Sequence, residues 1–477
     1  MSMDTRPMAV LPPEPAAPDQ AAAEPPSRRK RLKAGWPITA LLVFYPVWWA
    51  LGLGVLIWII LAVPMGLYLA HKTRVRVPSG FGIWALFLVW VVASMIMLGV
   101  NPPGTVPNDA LSRLGPTLLR LVEYLSVTVL LLYIGNLSEE QFPRKRLVRQ
   151  LAVMFLWPVI GGLVAVLKPT LQFTSPLEML LPANMVQNPF VVSLVHPAFA
   201  QLHEVLGFQS PRPAAPFGYT NMWGQNLSIL LIWFVVGWLM MGSTRRRWLG
   251  YGVLAIAVVP IIYSLNRGLW IGLMLSVVYV AVRLVVRGRI ELLGALAGTT
   301  AVLVVVIALS PLQGLIMARL DNGKSNDVRA FSTAEAIRIS KLSPVLGYGN
   351  TRNAVGSQQS ASVGKTADCP RCGNIALGSN GQLWLVLVTT GFVGAALYVG
   401  FFVHALWHYR RDRSLIGVAG VLTVSLPLFF MFTYNAMISP LALYMISMAL
   451  LWRNEQFYAD QALERAAASK ARLSAVR

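Results

Sequence analysis

Residues 261–276 read IIYSLNRGLWIGLMLS, an apolar run with one permanent cation, Arg267, near its middle. They belong to a longer stretch, Leu249 to Val282, of about 34 residues in which Arg267 is the single charge. As one helix this stretch would reach about 50 Å, against a hydrocarbon core of about 30 Å, so it must fold back on itself. Basic clusters flank it, TRRRW (244–248) before and RLVVRGR (283–289) after, and such clusters stay on the cytoplasmic side. The hairpin tip, SLNRG (264–268), then falls on the extracytoplasmic face. There Arg267 lies at the depth of the lipid headgroups, where a guanidinium can meet a phosphate.

Composition agrees with this setting. The chain has 477 residues, 56% hydrophobic and 12% charged, with mean hydropathy +0.60, values that belong to an integral membrane protein rather than a water-soluble domain. The formal charge of +21 raises nucleic acid as a partner. That partner is set aside because the cations fall in short clusters between apolar segments and act as topology signals. Residues 1–35, rich in Pro and Ala and closing on SRRKRLK, read as a disordered cytoplasmic tail with no cleavable signal peptide.

The same length argument divides 36–70 into two short spans. Further spans are expected at 82–100, 116–136, 150–168, 222–241, the 249–282 pair, 291–310, 382–406, 414–433 and 438–452. The expectation is an all-α integral membrane protein whose transmembrane domain, 36–453, has about twelve helices. PRKRLVR, TRRRW, VVRGR and HYRRDR alternate as inside loops, which puts both termini in the cytoplasm and makes 454–477 a cytoplasmic C-terminal helix. Two outside loops, 169–221 and 311–381, exceed what a connection needs and are candidates for function. The second carries Arg319, Lys324, Arg329, Arg338, Lys341, Arg352, Lys365 and Arg371 against Asp321, Asp327, Glu335 and Asp368. An anionic ligand outside would explain that surplus; so would a solvated loop with local ion pairs.

SLNRGLW, then DVRAFSTAEAIRISKLSPVLGYGNTRN, then GSNGQLWLVLVTTGFVGAALYVGFF resemble, in content and order, the O-antigen ligase and O-antigen polymerase superfamily of bacterial envelope enzymes. The resemblance covers roughly residues 215–435. Its Ser-Arg-Gly-like tip is carried here by Leu265, Asn266, Arg267 and Gly268, its loop arginine opening an amphipathic helix by Arg329, and its Pro-Leu-Gly-x-Gly-like turn by Pro344 to Gly349. The resemblance implies a GT-C-like fold in the inner (plasma) membrane. It also implies transfer of a glycan from a polyprenyl diphosphate-linked donor to a hydroxyl of a glycan or envelope-lipid acceptor at the outer face, with no cofactor, nucleotide sugar or metal. Negative charge grows on the departing diphosphate, and fixed cations stabilise that transition state beyond the ground state. Arginine suits the task through its planar fork and permanent charge. Arg267 and Arg329 are the leading candidates, with Arg338 and Arg352 as further diphosphate ligands; headgroup anchoring by snorkelling is the plain alternative for Arg267.

One departure from the family concerns the base. Many members carry a His before the Asn that opens the helix following the large loop; this chain has Ser379 before Asn380. Both stay in the candidate catalytic set, but a serine is no base near neutral pH without help. His196, His203, Glu204 and Glu335 are possible substitutes. The plain alternatives are an amphipathic surface helix carrying His196 and His203 on one face, and a Glu335–Arg338 pair at helical spacing. Arg120 and Glu123, within the fourth span, read first as a mutually neutralising pair and second as substrate ligands.

Cys369 and Cys372, in CPRC, read as a disulfide outside the cytoplasm, since two thiols alone complete no zinc site. VLGYGN lacks the lysine of a phosphate-binding loop. A transporter of lipid-linked saccharides is the competing class. Two similar halves and a charge-lined midplane path would mark it, and neither is evident in the sequence.

Overall fold

The computed structural model describes residues 33–187, 189–204, 209–310, 312–321, 324–355, 374–436 and 438–475. Nearly all of the expected 1–35 tail, together with Cys369 and Cys372, lies outside them. Helices dominate, and the sheet among the described residues consists of two antiparallel hairpins, Ala200–Glu204 with Gln209–Pro213 and Asn353–Val355 with Asn374–Ala376. Among the described residues seven helices are long and apolar enough to cross a membrane: Ala110–Gly135, Arg144–Leu167, Thr220–Met240, Thr244–Tyr263, Arg267–Val286, Ile290–Ala308 and Gln382–Tyr409. Leu56–Ala70, Phe81–Met97 and Leu415–Phe430 are shorter apolar helices.

The overlong runs break where length requires. The 249–282 stretch turns at 264–266 between Thr244–Tyr263 and Arg267–Val286. The 36–70 run is interrupted at Phe44 and again at 51–55, leaving helices Trp36–Val43, Tyr45–Ala50 and Leu56–Ala70. A different outcome holds at the C-terminus. The last apolar segment and the charged 454–477 segment form one continuous helix, Ile438–Ala475, instead of two elements. Nothing in that sequence stops a helix: no Gly or Pro follows Pro440, and Ala, Glu, Lys and Arg all propagate it.

Apolar all round, Leu441–Trp452 are buried throughout and form the axis of the bundle. The helix packs closely on Ala110–Gly135, where a β-carbon at Gly135 would collide with the Trp452 ring. Equally apolar, Ile290–Ala308 buries none of its residues and stands on the outside, as a lipid-facing helix does.

Basic clusters far apart in sequence meet at one end of this bundle. Arg283 donates to Arg410 O and Asp412 O, Arg287 to Arg413 O, and Arg144 to Asn454 Oδ1. At the opposite end lie the two long loops. The first holds three short helices, Pro176–Leu180, Ala183–Val186 and Pro189–Val195, and the first hairpin. The second holds Leu312–Asp321, Lys324–Leu342 and the second hairpin.

The glycine-rich turn Pro344–Gly349 has a structural task. The Gln382–Tyr409 helix breaks at Gly391, whose φ of 68° is left-handed. There the turn inserts: Tyr348 N donates to Val388 O and Gly349 N to Thr389 O, at 2.9 and 2.8 Å, taking up carbonyls that the break leaves over. Phe392 N in turn reaches Pro344 O at 2.7 Å. The loop helix Lys324–Leu342 is thereby held over the start of Gln382–Tyr409.

Candidate functional site

The site grows from the turn at 264–268. Leu265 adopts φ 50°, a left-handed conformation that costs a branched side chain energy and persists only when its surroundings hold it. Asn266 caps the following helix by accepting from Leu269 N at 3.0 Å, and its Nδ2 donates to Thr220 O at 3.2 Å. Its Oδ1 also receives the Tyr434 hydroxyl in a short hydrogen bond. Gly268 N donates to that same hydroxyl at 3.0 Å, and a β-carbon at Gly268 would strike it. The Asn-Arg-Gly triplet is thus explained residue by residue: a cap, a cation, and a position that must lack a side chain because Tyr434 fills the space.

Arg267 is the first residue of its helix. A cation there sits on the positive end of the helix dipole, an unfavourable placement that an anion would relieve. Further arginines gather around it. Arg212, on the first hairpin, donates Nε to Ser264 O at 2.6 Å, and Arg319 donates Nε to Leu265 O at 3.1 Å. Arg329 lies with its guanidinium carbon 5.7 Å from the centre of the Tyr434 ring. Burial, together with the charges of Arg319 and Arg329, pushes Arg212 down to about 10, although Tyr434 opposes the shift. Burial and the charges of Arg267 and Arg329 push Arg319 down to about 10 as well. Guanidinia held this close repel one another across a small volume. Tyr434 is driven up by burial, against the pull of Arg329 and Arg212, and stays a neutral phenol.

Of the expected candidates, Arg267 and Arg329 come together here, and Asn380 joins them through Ser332. Asn380 Nδ2 donates to Ser332 Oγ at 2.8 Å, one turn along the helix from Arg329. That helix is already under way at Lys324, so Arg329 lies inside it and does not open it. Ser379, exposed, borders a neighbouring cavity of about 550 Å³. Its other walls include Arg113, Arg120, Glu123, Arg352 and Gln382. None of the four clustered arginines lines this cavity; the 379–382 and 434–436 segments border both compartments.

Other candidates are used elsewhere. Arg352, 1% exposed, spends its guanidinium on backbone carbonyls, among them Val100 O at 2.7 Å and Asn350 O at 3.0 Å, and is a clamp on the 97–100 turn. Arg338 is held by Glu335 at 2.5 to 3.0 Å and by Pro103 O at 2.6 Å; the glutamate raises its pKa. The pairing reading of Glu335 and Arg338 is therefore the one realised. His196 engages Glu178 Oε2 at 2.8 Å, and Glu178 completes a capping box with Ser175. The surface helix expected across His196 and His203 is not formed among the described residues, because Pro197 stops it and Ala200–Glu204 pairs as a strand with Gln209–Pro213. His203 and Glu204 are on its first strand, with side chains outside the described residues. Arg120 and Glu123 do not form the expected ion pair: Arg120 donates to Asn350 Oδ1 at 3.4 Å.

Arg212 and Tyr434 were missed by sequence reasoning. A signal existed for Arg212, the single Lys or Arg in 169–221; Tyr434, in a short turn between apolar helices, offered none. Compared with family models and with curated proteins, the chain matches none of either.

Proposed function

We propose that the protein is a glycosyltransferase of the O-antigen ligase and polymerase kind, moving a glycan from a polyprenyl diphosphate carrier to an acceptor hydroxyl. The observation that carries this reading is the convergence of Arg212, Arg267, Arg319 and Arg329 around Tyr434 at one end of an apolar bundle. Those arginines come from four separate segments, three of them in the long loops. Arginines set this close together suit a polyanion, and a diphosphate fits the arginine fork. The opposite end, where the basic clusters meet, is the cytoplasmic one by the distribution of Lys and Arg. Both termini then lie inside the plasma membrane, the apolar segments make about twelve spans, and the arginine site faces outward.

In the reaction the acceptor oxygen attacks the anomeric carbon, the bond from that carbon to the phosphate oxygen breaks, and the electron pair leaves on the diphosphate. Arg267 and Arg329 bear on that growing charge. Arg212 and Arg319, tied to the carbonyls of 264 and 265, hold the turn that aims Arg267. The test is reconstitution of purified protein with a polyprenyl diphosphate glycan and candidate acceptors, comparing wild type with R267A and R329A. Release of carrier diphosphate should collapse in both variants; equal release by all three would remove the site assignment. Movement of the lipid across the bilayer without any release would put the transporter first.

A further inference from the structure

Resting on the transferase reading above, we propose that the 550 Å³ cavity beside the arginine cluster receives the acceptor saccharide and that Glu123 takes the proton from its reacting hydroxyl. The volume lies within the roughly 300 to 1,000 Å³ of small-molecule sites. The cavity is walled at its outer end by Val106 and Asn108 and runs down past Glu123 on one helix and Leu385 and Leu441 on two others. A saccharide can therefore enter from the water-facing loops. The donor, with its long lipid tail, arrives from the other side: Arg267–Val286 is little buried along its span and Ile290–Ala308 buries none of its residues.

The two compartments adjoin along a common edge. Gln382 donates to the Tyr124 hydroxyl at 3.1 Å, next in sequence to Glu123, while its own N bonds Tyr434 O at 2.9 Å and its Oε1 accepts from Ala436 N at 3.0 Å. Ser379 and Asn380 join them a second time, Ser379 lining the cavity and Asn380 bonded beside Arg329. Among the described residues Glu123 is the one carboxylate lining the cavity and makes no salt bridge, although the Arg120 charge acts on it from one turn away. Of the other acids near the arginine end among the described side chains, Glu178 and Glu335 are taken by His196 and Arg338, and Asp109 is exposed at the start of its helix and does not line the cavity. A carboxylate is the base that the serine at 379 cannot be. The step balances: the hydroxyl proton passes to the Glu123 carboxylate, the oxygen bonds to the anomeric carbon, and the diphosphate departs with the electron pair.

Membranes of the cell that makes the protein hold both native substrates, so variants are compared there as the sole copy. Transfer is followed as glycan leaving the solvent-extractable carrier fraction. Donor-site integrity is followed separately, as the thermal shift of each purified variant with farnesyl diphosphate. E123Q should transfer at least about 100-fold more slowly while keeping the wild-type thermal shift. E123D should recover part of the rate. The wild-type rate should climb with pH to a plateau as the carboxylate ionises, and E123Q should lack that limb. The groups that face Glu123 and set the position of the limb are Arg113, Arg120 and Tyr124 on its own helix, with Arg352 and Tyr219 opposite. Near wild-type transfer by E123Q would overturn the assignment and leave the arginine site standing. Loss of the farnesyl diphosphate shift in E123Q would also overturn it, since Glu123 would then be holding the fold. Undiminished transfer by R267A would bring down the transferase reading and this proposal together.

Discussion

Arginine does opposite work at the two ends of this bundle. At the basic end, Arg144 and Arg453 share the Glu139 carboxylate, each at 2.8 Å, and their remaining donors reach Asn454 Oδ1 and Phe142 O. Asn454 passes the network on to Asp412 Oδ2 at 2.7 Å. Charge there is matched by charge, and the result welds three helix ends. At the other end Arg212, Arg267, Arg319 and Arg329 perturb one another, and the polar centre they share is a neutral tyrosine. The contrast separates arginines that share a carboxylate from arginines grouped around a phenol.

Substitutions can break this contrast, and the largest effect should come from R267A. Losing one fixed cation from a water-poor transition-state site costs about 2 to 4 kcal/mol of barrier, or roughly 30-fold to 10³-fold in rate. Steady-state transfer by reconstituted protein checks it, and R144A should leave the rate per folded molecule alone. Next comes E139Q, which deprives two buried guanidinia of their partner at the basic end. Since Glu139 is itself partly exposed, solvent limits the loss to about 1 to 3 kcal/mol, visible as a lower Tm in detergent with transfer per folded molecule unchanged.

A ligand sharpens the comparison. Farnesyl diphosphate relieves the repulsion at the cluster and binds the folded state alone, so at a hundredfold excess over Kd it should add about 2.7 kcal/mol of stability. The Tm rise should vanish in R267A and persist in R144A. At neutral pH Arg212 and Arg319 carry full charge, because values of about 10 leave them protonated. Above that range they begin to lose protons, so the thermal shift should weaken there and stay level between pH 6 and 9. The smallest effect should be that of R338A. Its pair with Glu335 is largely exposed, so stability should change by less than about 1 kcal/mol and transfer should hardly change.

How much was legible follows from how local each signal is. Hydropathy and charge are read along the chain, so the break at 264–266, the apolar helices and the gathering of basic clusters could be anticipated from single stretches. Arg267 was visible because a lone cation in an apolar run has few places to go. The role of Arg352 was not, since nothing in GYGNTRN foretells that its guanidinium will be consumed by carbonyls near residue 100. Glu123 was visible as a charge in a span, but its separation from Arg120 depends on Asn350, some 230 positions away in sequence.

By itself, then, the sequence determined a helical, membrane-compatible chain folded back at Arg267, because lengths, polarity and turn residues act over one or two turns of helix. Only the tertiary structure decided that Arg212, Arg319, Arg329 and Tyr434 surround that tip, and that a cavity bearing Glu123 lies beside it. Such convergence comes from packing between helices and loops whose contacts span a hundred residues or more, and no local pattern encodes which of many equally basic side chains will be brought to the same point.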